Sequence, residues 1–245
     1  MEKVKKAVIL AAGFGTRVLP ASKAIPKEML NIVDKPAIQY IVEEVINSGI
    51  TEILIVLSRG KQEVEDHFDR KPDLEAQLLA GGKTEFYKVV CDIAEMGKNI
   101  TYVRQQMQNG TGGAVMYAKQ FVGNDPFVVI YGDDVIIGDD PCTAQCCRAY
   151  EKYGKAACGV KEVTAEQILK YSSLDAKPIE GSGNCYNVTD MIEKPKPEEV
   201  ITRLSILGRV LLTPDIFDIL AETKPGAGGE IQLTDAMRVL AQSVG

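Results

Sequence analysis

The sequence predicts an α/β fold, a mostly parallel but mixed sheet flanked by helices. Three observations predict it. Val4–Ala11, apolar without a break from Ala7 on, and Pro126–Tyr131 are runs that end at glycine-containing loops, as parallel strands buried on both faces do. Between the first of them and the β-rich run Thr51–Leu57 lies an amphipathic stretch, Pro36–Ser48. The start of the chain is therefore a β-loop-α-β unit, whose crossover is right-handed almost without exception. Finally, 245 residues with 45% hydrophobic and 25% charged side chains are ample for one core and unlike a disordered chain.

Each element has its local reason. Pro36 presets the backbone at the first helix's start, Gly49 lies just past its end, and Ile38, Ile41, Val42, Val45 and Ile46 fall on one stripe. Residues 60–69 and 73–96 read as helical, followed by a short strand at Ile100–Val103. A turn containing Gly110, Gly112 and Gly113 leads into a helix through Phe121, and Gly132-Asp133-Asp134 stops the strand at Tyr131. Residues 141–153 are expected to be helical and Ala156–Val163 extended. From about 170 to 212 the pattern changes to short extended runs broken by Gly, Asn and Pro. Pro214–Ala221 and Glu230–Gln242 close the chain as helices. With no internal repeat, low-complexity tract or flexible linker, residues 1–245 are expected to form one domain, Rossmann-like in plan. Ligands of open α/β sheets gather at the carboxyl ends of the strands, so the loops after Ala11 and Tyr131 should face one cleft.

Composition excludes several function classes. With 28 Lys+Arg against 34 Asp+Glu, the net charge of −6 disfavours general nucleic-acid binding, which needs a basic face. No apolar run approaches about 20 residues, so no membrane span is expected. The apolar run after MEKVKK passes into a glycine loop rather than a signal-peptidase site. Six cysteines without a secretory signal read as small buried thiols: Cys142, Cys146 and Cys147 cluster on one predicted helix, but no Cys-x-x-Cys exists and His67, the only histidine, is remote. A cytoplasmic protein is expected. One local reversal stands out. Between Arg17 and Lys35, four basic residues (Arg17, Lys23, Lys27, Lys35) face only Glu28 and Asp34, a suitable balance for a phosphorylated small molecule.

That reversal sits on a glycine loop. Residues 10–17 read LAAGFGTR and 19–30 read LPASKAIPKEML. Glycines directly after a strand let backbone N–H groups approach a phosphate with no Cβ in the way. The loop is not a P-loop, since Gly-Lys-Ser/Thr is absent, and it lacks the third glycine of the dinucleotide fingerprint. A solvated basic loop is the plain alternative for Arg17, Lys23 and Lys27. For Asp133, the residues alone leave two readings even: a strand-ending turn, or a carboxylate for a hard cation that also binds phosphate.

The stretch AVILAAGFGTRVLPASKAIPKEMLNIVDKP (7–36) resembles the signature region of sugar-phosphate nucleotidyltransferases, and more narrowly of bacterial UTP–glucose-1-phosphate uridylyltransferases. The resemblance continues through IQYIVEEVINSGITEILIV (38–56), VRQ (103–105), GTGGAV (110–115), YGDDVI (131–136), MIEKPKPEE (191–199), ILGR (206–209) and PGAGGEIQLTDA (225–236). It implies a glycosyltransferase-A-like nucleotidyltransferase architecture, with residues 1–154 binding nucleotide and 155–245 binding sugar.

It also implies roles. Ala11, Ala12, Gly13, Gly15 and Thr16 would wrap the nucleotide, with Arg17 and Lys27 at the triphosphate, where guanidinium and ammonium groups offset charge on a departing pyrophosphate. Glu28 matches a position near the uracil. Gln105 and Gly110 match the base-reading pair, an amide that both donates and accepts beside a residue with no side chain to clash. Asp133 matches a Mg²⁺ ligand, with Asp134 the weaker second candidate. Glu193 and Lys194 match the Glu-Lys-Pro motif that holds the sugar phosphate. His67 is not needed as a general base, because phosphate is already a competent nucleophile.

The implied reaction is uridylyl transfer from UTP to glucose 1-phosphate, by orientation and charge stabilisation rather than by proton abstraction. Catalysis would rest on Arg17, Lys27 and Lys194, with Mg²⁺ as cofactor, no nucleic-acid or membrane partner, and a homo-oligomer as the family's habit. The chain departs from the pattern in places. Tyr171-Ser172-Ser173 stands where the family commonly has Tyr-Gly, putting Ser172 at a sugar contact. VITRLS (200–205) replaces a Pro-Ser-Asn-Leu-Ala-like run, and a later Asp-Cys-Gly segment is absent, so the family's C-terminal segment is expected to be missing. Three readings follow: a uridylyltransferase, a nucleotidyltransferase for another base or sugar such as dTTP, or a nucleotide-binding paralogue without turnover.

Overall fold

A computed structural model describes residues 3–244. Its six-stranded main sheet contains β1 (Lys6–Leu10), β4 (Glu52–Leu57), β5 (Ile100–Arg104), β6 (Phe127–Tyr131), β7 (Ala157–Glu162) and β10 (Leu204–Leu212), after the short pair β2 (Asn31–Ile32) and β3 (Lys35–Pro36) and the hairpin β8 (Ser172–Pro178) and β9 (Tyr186–Glu193) are set apart. The order is β5-β4-β1-β6-β10-β7. The first four run parallel, and β10 is antiparallel to both of its neighbours. The sheet is thus mixed and mostly parallel, as the apolar runs predicted.

Side chains alternate across the sheet, so the core has two sides. On one, Ile9, Ile53, Ile55 and Ile130 meet Ile38, Ile41, Val42 and Val45 of the helix Ala37–Asn47. Each such fully buried side chain contributes about 1.5–3 kcal/mol. On the other, Val8, Leu54, Val56 and Val129 pack against Val115, Phe217, Leu220 and Leu233 from the helices Thr111–Met116, Ile216–Glu222 and Leu233–Val244.

The elements depart from expectation at three boundaries. The stretch 73–96 is two helices, Pro72–Ala80 and Thr84–Gly97, because Gly81-Gly82 ends the first. The helix after the glycine turn is broken into Thr111–Met116 and Lys119–Val122, and the last helix begins at Leu233 rather than Glu230. All six cysteines are free thiols, and Cys142, Cys146 and Cys147 are buried on the helix Cys142–Tyr153. Among the described residues no helix is long and apolar enough to cross a membrane.

Candidate functional site

The register of the central strands builds one end of the sheet into a cleft. Leu10 pairs with Tyr131, so β1 and β6 release their loops side by side. The Gly132 amide donates to the Leu10 carbonyl (3.0 Å), the Ala11 amide to Val56 (2.9 Å) and the Gln105 amide to Leu57 (2.8 Å). Three loops therefore leave one edge together: the glycine loop, the loop 105–110 and the Gly-Asp-Asp turn.

Within the glycine loop, Ala11 and Ala12 are buried, while Gly13, Thr16 and Arg17 are exposed. The Gly15 carbonyl accepts from Ser22 Oγ at 2.7 Å, which folds the loop back on itself. Lys27 leaves the loop and meets the turn across the cleft, its Nζ 2.5 Å from Asp133 Oδ2. The loop is therefore not simply a solvated basic segment. Lys23 and Arg17 stay in solvent, but Lys27 is partly buried and engaged with the residue expected to hold the cation.

Glu28, next in sequence, turns the other way. It is fully buried, and both its carboxylate oxygens accept from Lys61 Nζ at 2.8 Å. Burial pushes the Glu28 carboxyl up despite Lys61, and burial pushes Lys61 down. Glu28 is thus no surface carboxylate: the pair lies inside, and its lysine comes from the turn after β4. Lys61 carried no sequence signal beyond its place after a predicted strand.

Gln105 is buried, with Nε2 donating to Asn109 Oδ1 at 3.3 Å. Gln108 Nε2 donates to the Ala12 carbonyl at 2.9 Å, linking this loop to the glycine loop. Gly110 has φ +103 and lies so close to the Ile231 carbonyl that a Cβ would sit 2.5 Å from it. Only glycine meets both conditions. The Ile231 amide in turn donates to Asn109 (2.8 Å), so the segment before the last helix props up the loop.

The hairpin β8–β9 brings a second set of groups. Ser172 pairs with Glu193 across it. Ser172 is buried, its Oγ 3.4 Å from Ser205 Oγ and accepting from the Ile206 amide at 3.3 Å. Glu193 is half-buried, accepts from Thr234 Oγ1 at 2.9 Å, and has its carboxyl raised by burial. Lys194 is exposed with φ +48, a left-handed backbone that costs a non-glycine residue about 1–3 kcal/mol and gathers at functional sites. Its amide is fastened to the Tyr171 carbonyl at 2.7 Å. The Glu-Lys pair is thus held in a defined shape and is more than an exposed charged pair before a proline.

Asp133 and Asp134 are adjacent carboxylates at the carboxyl end of β6. Asp134 is raised by burial and by the charge of Asp133. Among the described residues no cluster of three or more His, Cys, Asp or Glu could close around a metal. This sparse donor set fits a hard cation that draws its remaining ligands from phosphate oxygens and water. His67 lies away from these loops, on the helix Gln62–Phe68, with Nε2 3.1 Å from Gln39 Oε1 and its imidazole pushed down by burial. Its ring packs edge-on against Phe68.

Comparison with known proteins gives one consistent result. The nucleotidyl transferase family matches residues 6–244. A protein of Staphylococcus saprophyticus named UTP–glucose-1-phosphate uridylyltransferase 2 is 50% identical over 240 residues, covering 98% of this chain and 82% of that protein. A Bacillus subtilis UTP–glucose-1-phosphate uridylyltransferase is 48% identical over 237 residues, covering 97% of this chain and 79% of its own length. Among solved structures, an apo UDP-glucose pyrophosphorylase superposes with a TM-score of 0.88 at 40% identity, over 98% of this chain and 88% of that one. The UTP-bound enzyme of Acinetobacter baumannii gives 0.84 at 34% identity, over 97% and 82%. The family match runs through residues 6–244, nearly the whole length, and the chain belongs to the nucleotidyl transferase family.

Proposed function

We propose that the protein transfers a uridylyl group from UTP to glucose 1-phosphate, giving UDP-glucose and pyrophosphate. The observation that carries the reading is the meeting of Lys27 and Asp133 at 2.5 Å, where the loops after β1 and β6 converge. A cation-binding carboxylate and a phosphate-binding ammonium that neutralise each other before substrate arrives are poised to part around a triphosphate. The relatives named for this reaction support the choice of UTP and glucose 1-phosphate.

A phosphate oxygen of glucose 1-phosphate attacks the α-phosphorus of UTP in line. The new P–O bond forms as the bond from the α-phosphorus to the bridging oxygen breaks, and that oxygen leaves with pyrophosphate. Positioning and charge stabilisation do the catalytic work. Arg17 and Lys27 take the growing charge on the leaving group, and Lys194 holds the attacking phosphate. Ala11, Ala12, Gly13, Gly15 and Thr16 cradle the nucleotide, while Gln105 and Gly110 read the base and Glu28 braces the loop from below through Lys61. Glu193 and the Ser172 backbone face the sugar. Asp133, with Asp134 beside it, would hold a divalent cation, taken to be Mg²⁺, which supplies positive charge to the phosphates. In this reading residues 1–154 serve the nucleotide and 155–245 the sugar, the enzyme works in the cytoplasm, and it does so as a homo-oligomer.

Pyrophosphate release measured with a panel of nucleoside triphosphates and sugar 1-phosphates tests the reading. UTP with glucose 1-phosphate should give the highest kcat/KM. A preference for dTTP would move the protein to another base, and UTP binding with no release from any pair would overturn turnover altogether.

A further inference from the structure

The ILGR segment has no part in the chemistry above, yet it contains a fully buried charge beneath the Gly-Asp-Asp turn. Arg209 has no exposed surface. Its Nε and Nη2 donate to the Glu44 carboxylate, Nη2 at 2.5 Å from Oε2, and Glu44 comes from the helix Ala37–Asn47. Glu44 Oε1 also accepts from the Thr143 amide (3.0 Å) and hydroxyl (2.7 Å), at the start of the helix Cys142–Tyr153. The remaining arm of the guanidinium, Nη1, donates to the main-chain carbonyl of Asp134 at 2.8 Å. One side chain thus ties the Gly-Asp-Asp turn to two helices on the same face of the sheet.

The strand is shaped to allow it. Pairing of β10 with β7 shifts register between Ile206 and Val210, a bulge of the kind that re-aims a side chain beside an active site. Gly208, at φ +66, stands at that shift, and a Cβ there would lie 2.5 Å from Asp134 Oδ2. Glycine lets the strand reach the turn, and the arginine after it points inward beneath. The rigid planar fork of arginine serves the carboxylate and the carbonyl at once, which a point-charge ammonium does less well.

We infer that Arg209 is a positioning residue for nucleotidyl transfer: anchored by Glu44, it holds the Asp134 carbonyl so that Asp133 presents its carboxylate to the cation and to Lys27. The inference rests on the proposed function. Outer partners of a metal ligand typically change metal affinity or activity about 10- to 100-fold when removed.

The decisive variant is the double substitution Glu44→Met/Arg209→Met, because exchanging a buried ion pair for apolar side chains commonly preserves stability while it deletes the anchor. Mn²⁺ affinity in the presence of UTP is measured by water proton relaxation, alongside thermal unfolding and steady-state kinetics. The expected result is a folded protein whose Mn²⁺ dissociation constant rises about 10-fold and whose kcat falls about 10- to 100-fold, with KM for glucose 1-phosphate nearly unchanged. A folded double variant with Mn²⁺ affinity and kcat within about twofold of the unsubstituted protein overturns the inference, since a merely structural pair would behave that way. If the double variant does not fold, Arg209→Lys decides: it keeps the charge for Glu44, and should lose about 3- to 10-fold in Mn²⁺ affinity, whereas full retention counts against the anchor. The unsubstituted protein is assayed first. Absence of both Mn²⁺–UTP binding and pyrophosphate release there defeats the proposed function itself, and the inference with it.

Discussion

Two ion pairs lie within reach of the same Gly-Asp-Asp turn and could hardly be placed more differently. Lys27–Asp133 spans the mouth of the cleft with side chains 14% and 38% exposed, whereas Arg209–Glu44 beneath it is 0% and 7% exposed. Solvent screens the upper pair, so its partners exchange easily for a phosphate and a cation. The lower pair has no such freedom, because neither charge could stand alone in the core. Adjacent pairs can therefore divide the work, one changing partners during the reaction and the other holding still.

The sharpest way to break this comparison is to remove one lower partner. Glu44→Ala leaves Arg209 buried without a counter-charge and should cost about 3–5 kcal/mol in denaturant unfolding. A loss below about 1 kcal/mol would mean that the pair is solvated after all. Acid should act similarly. Burial raises the Glu44 carboxyl, but the hydrogen bond and charge of Arg209 outweigh it and hold the group below its ordinary value of 4.5. A depressed carboxyl lends stability that is complete above that value and is lost as pH falls. The melting temperature should accordingly drop on acidification below it, and less steeply in Glu44→Gln.

For the upper pair the effect moves from stability to rate. Lys27→Met should change unfolding free energy by less than about 1 kcal/mol, yet lower kcat for pyrophosphate release about 10²- to 10³-fold. Equal damage to both would erase the distinction drawn between the two pairs.

Glu28 and Lys61 make a third, intermediate case, buried but shifted in the opposite sense. Lys61→Met should destabilise by about 3 kcal/mol near neutral pH. Because the carboxyl left behind is already raised by burial, its protonated form is favoured, and the deficit relative to the unsubstituted protein should shrink as pH falls. Glu28→Gln/Lys61→Met should recover much of the loss. A double variant less stable than the single one would show that Lys61 serves more than Glu28.

The smallest effect belongs to His67. Its imidazole is pushed down by burial, so charging it on acidification opposes folding. His67→Gln should leave kcat within about twofold and shave less than about 1 kcal/mol from the acid dependence of stability below its ordinary value of 6.5. A large fall in kcat would give the only histidine a role that the cleft geometry does not provide.

Much of the fold was legible in the chain because its strongest signals are local. Within Val4–Ala11 the residues from Ala7 on, like Phe127–Ile130, are too uniformly apolar to be anything but buried, and the stripe from Ile38 to Ile46 has helical spacing. Glycine pairs blurred the helix boundaries in 73–96, since a period of 3.6 is hard to separate from its restart a few residues later. The basic balance of the glycine loop was equally visible, and so was the carboxylate ending β6. Which lysine would cross the cleft was not visible, nor was the opposite direction of Lys27 and Glu28, because the backbone of a short turn decides that.

The sequence by itself determined the alternation of strand and helix, the glycine loop, and the residue types that mark a phosphate-handling site. Patterning of apolar residues and turn chemistry act over a few residues, so they can be read without a fold. Tertiary structure alone decided the pairings. Lys27 with Asp133, Glu28 with Lys61 and Glu44 with Arg209 are separated by 106, 33 and 165 residues. A charge finds its partner by burial and by the register of the strands that carry it, and neither is written in any one segment.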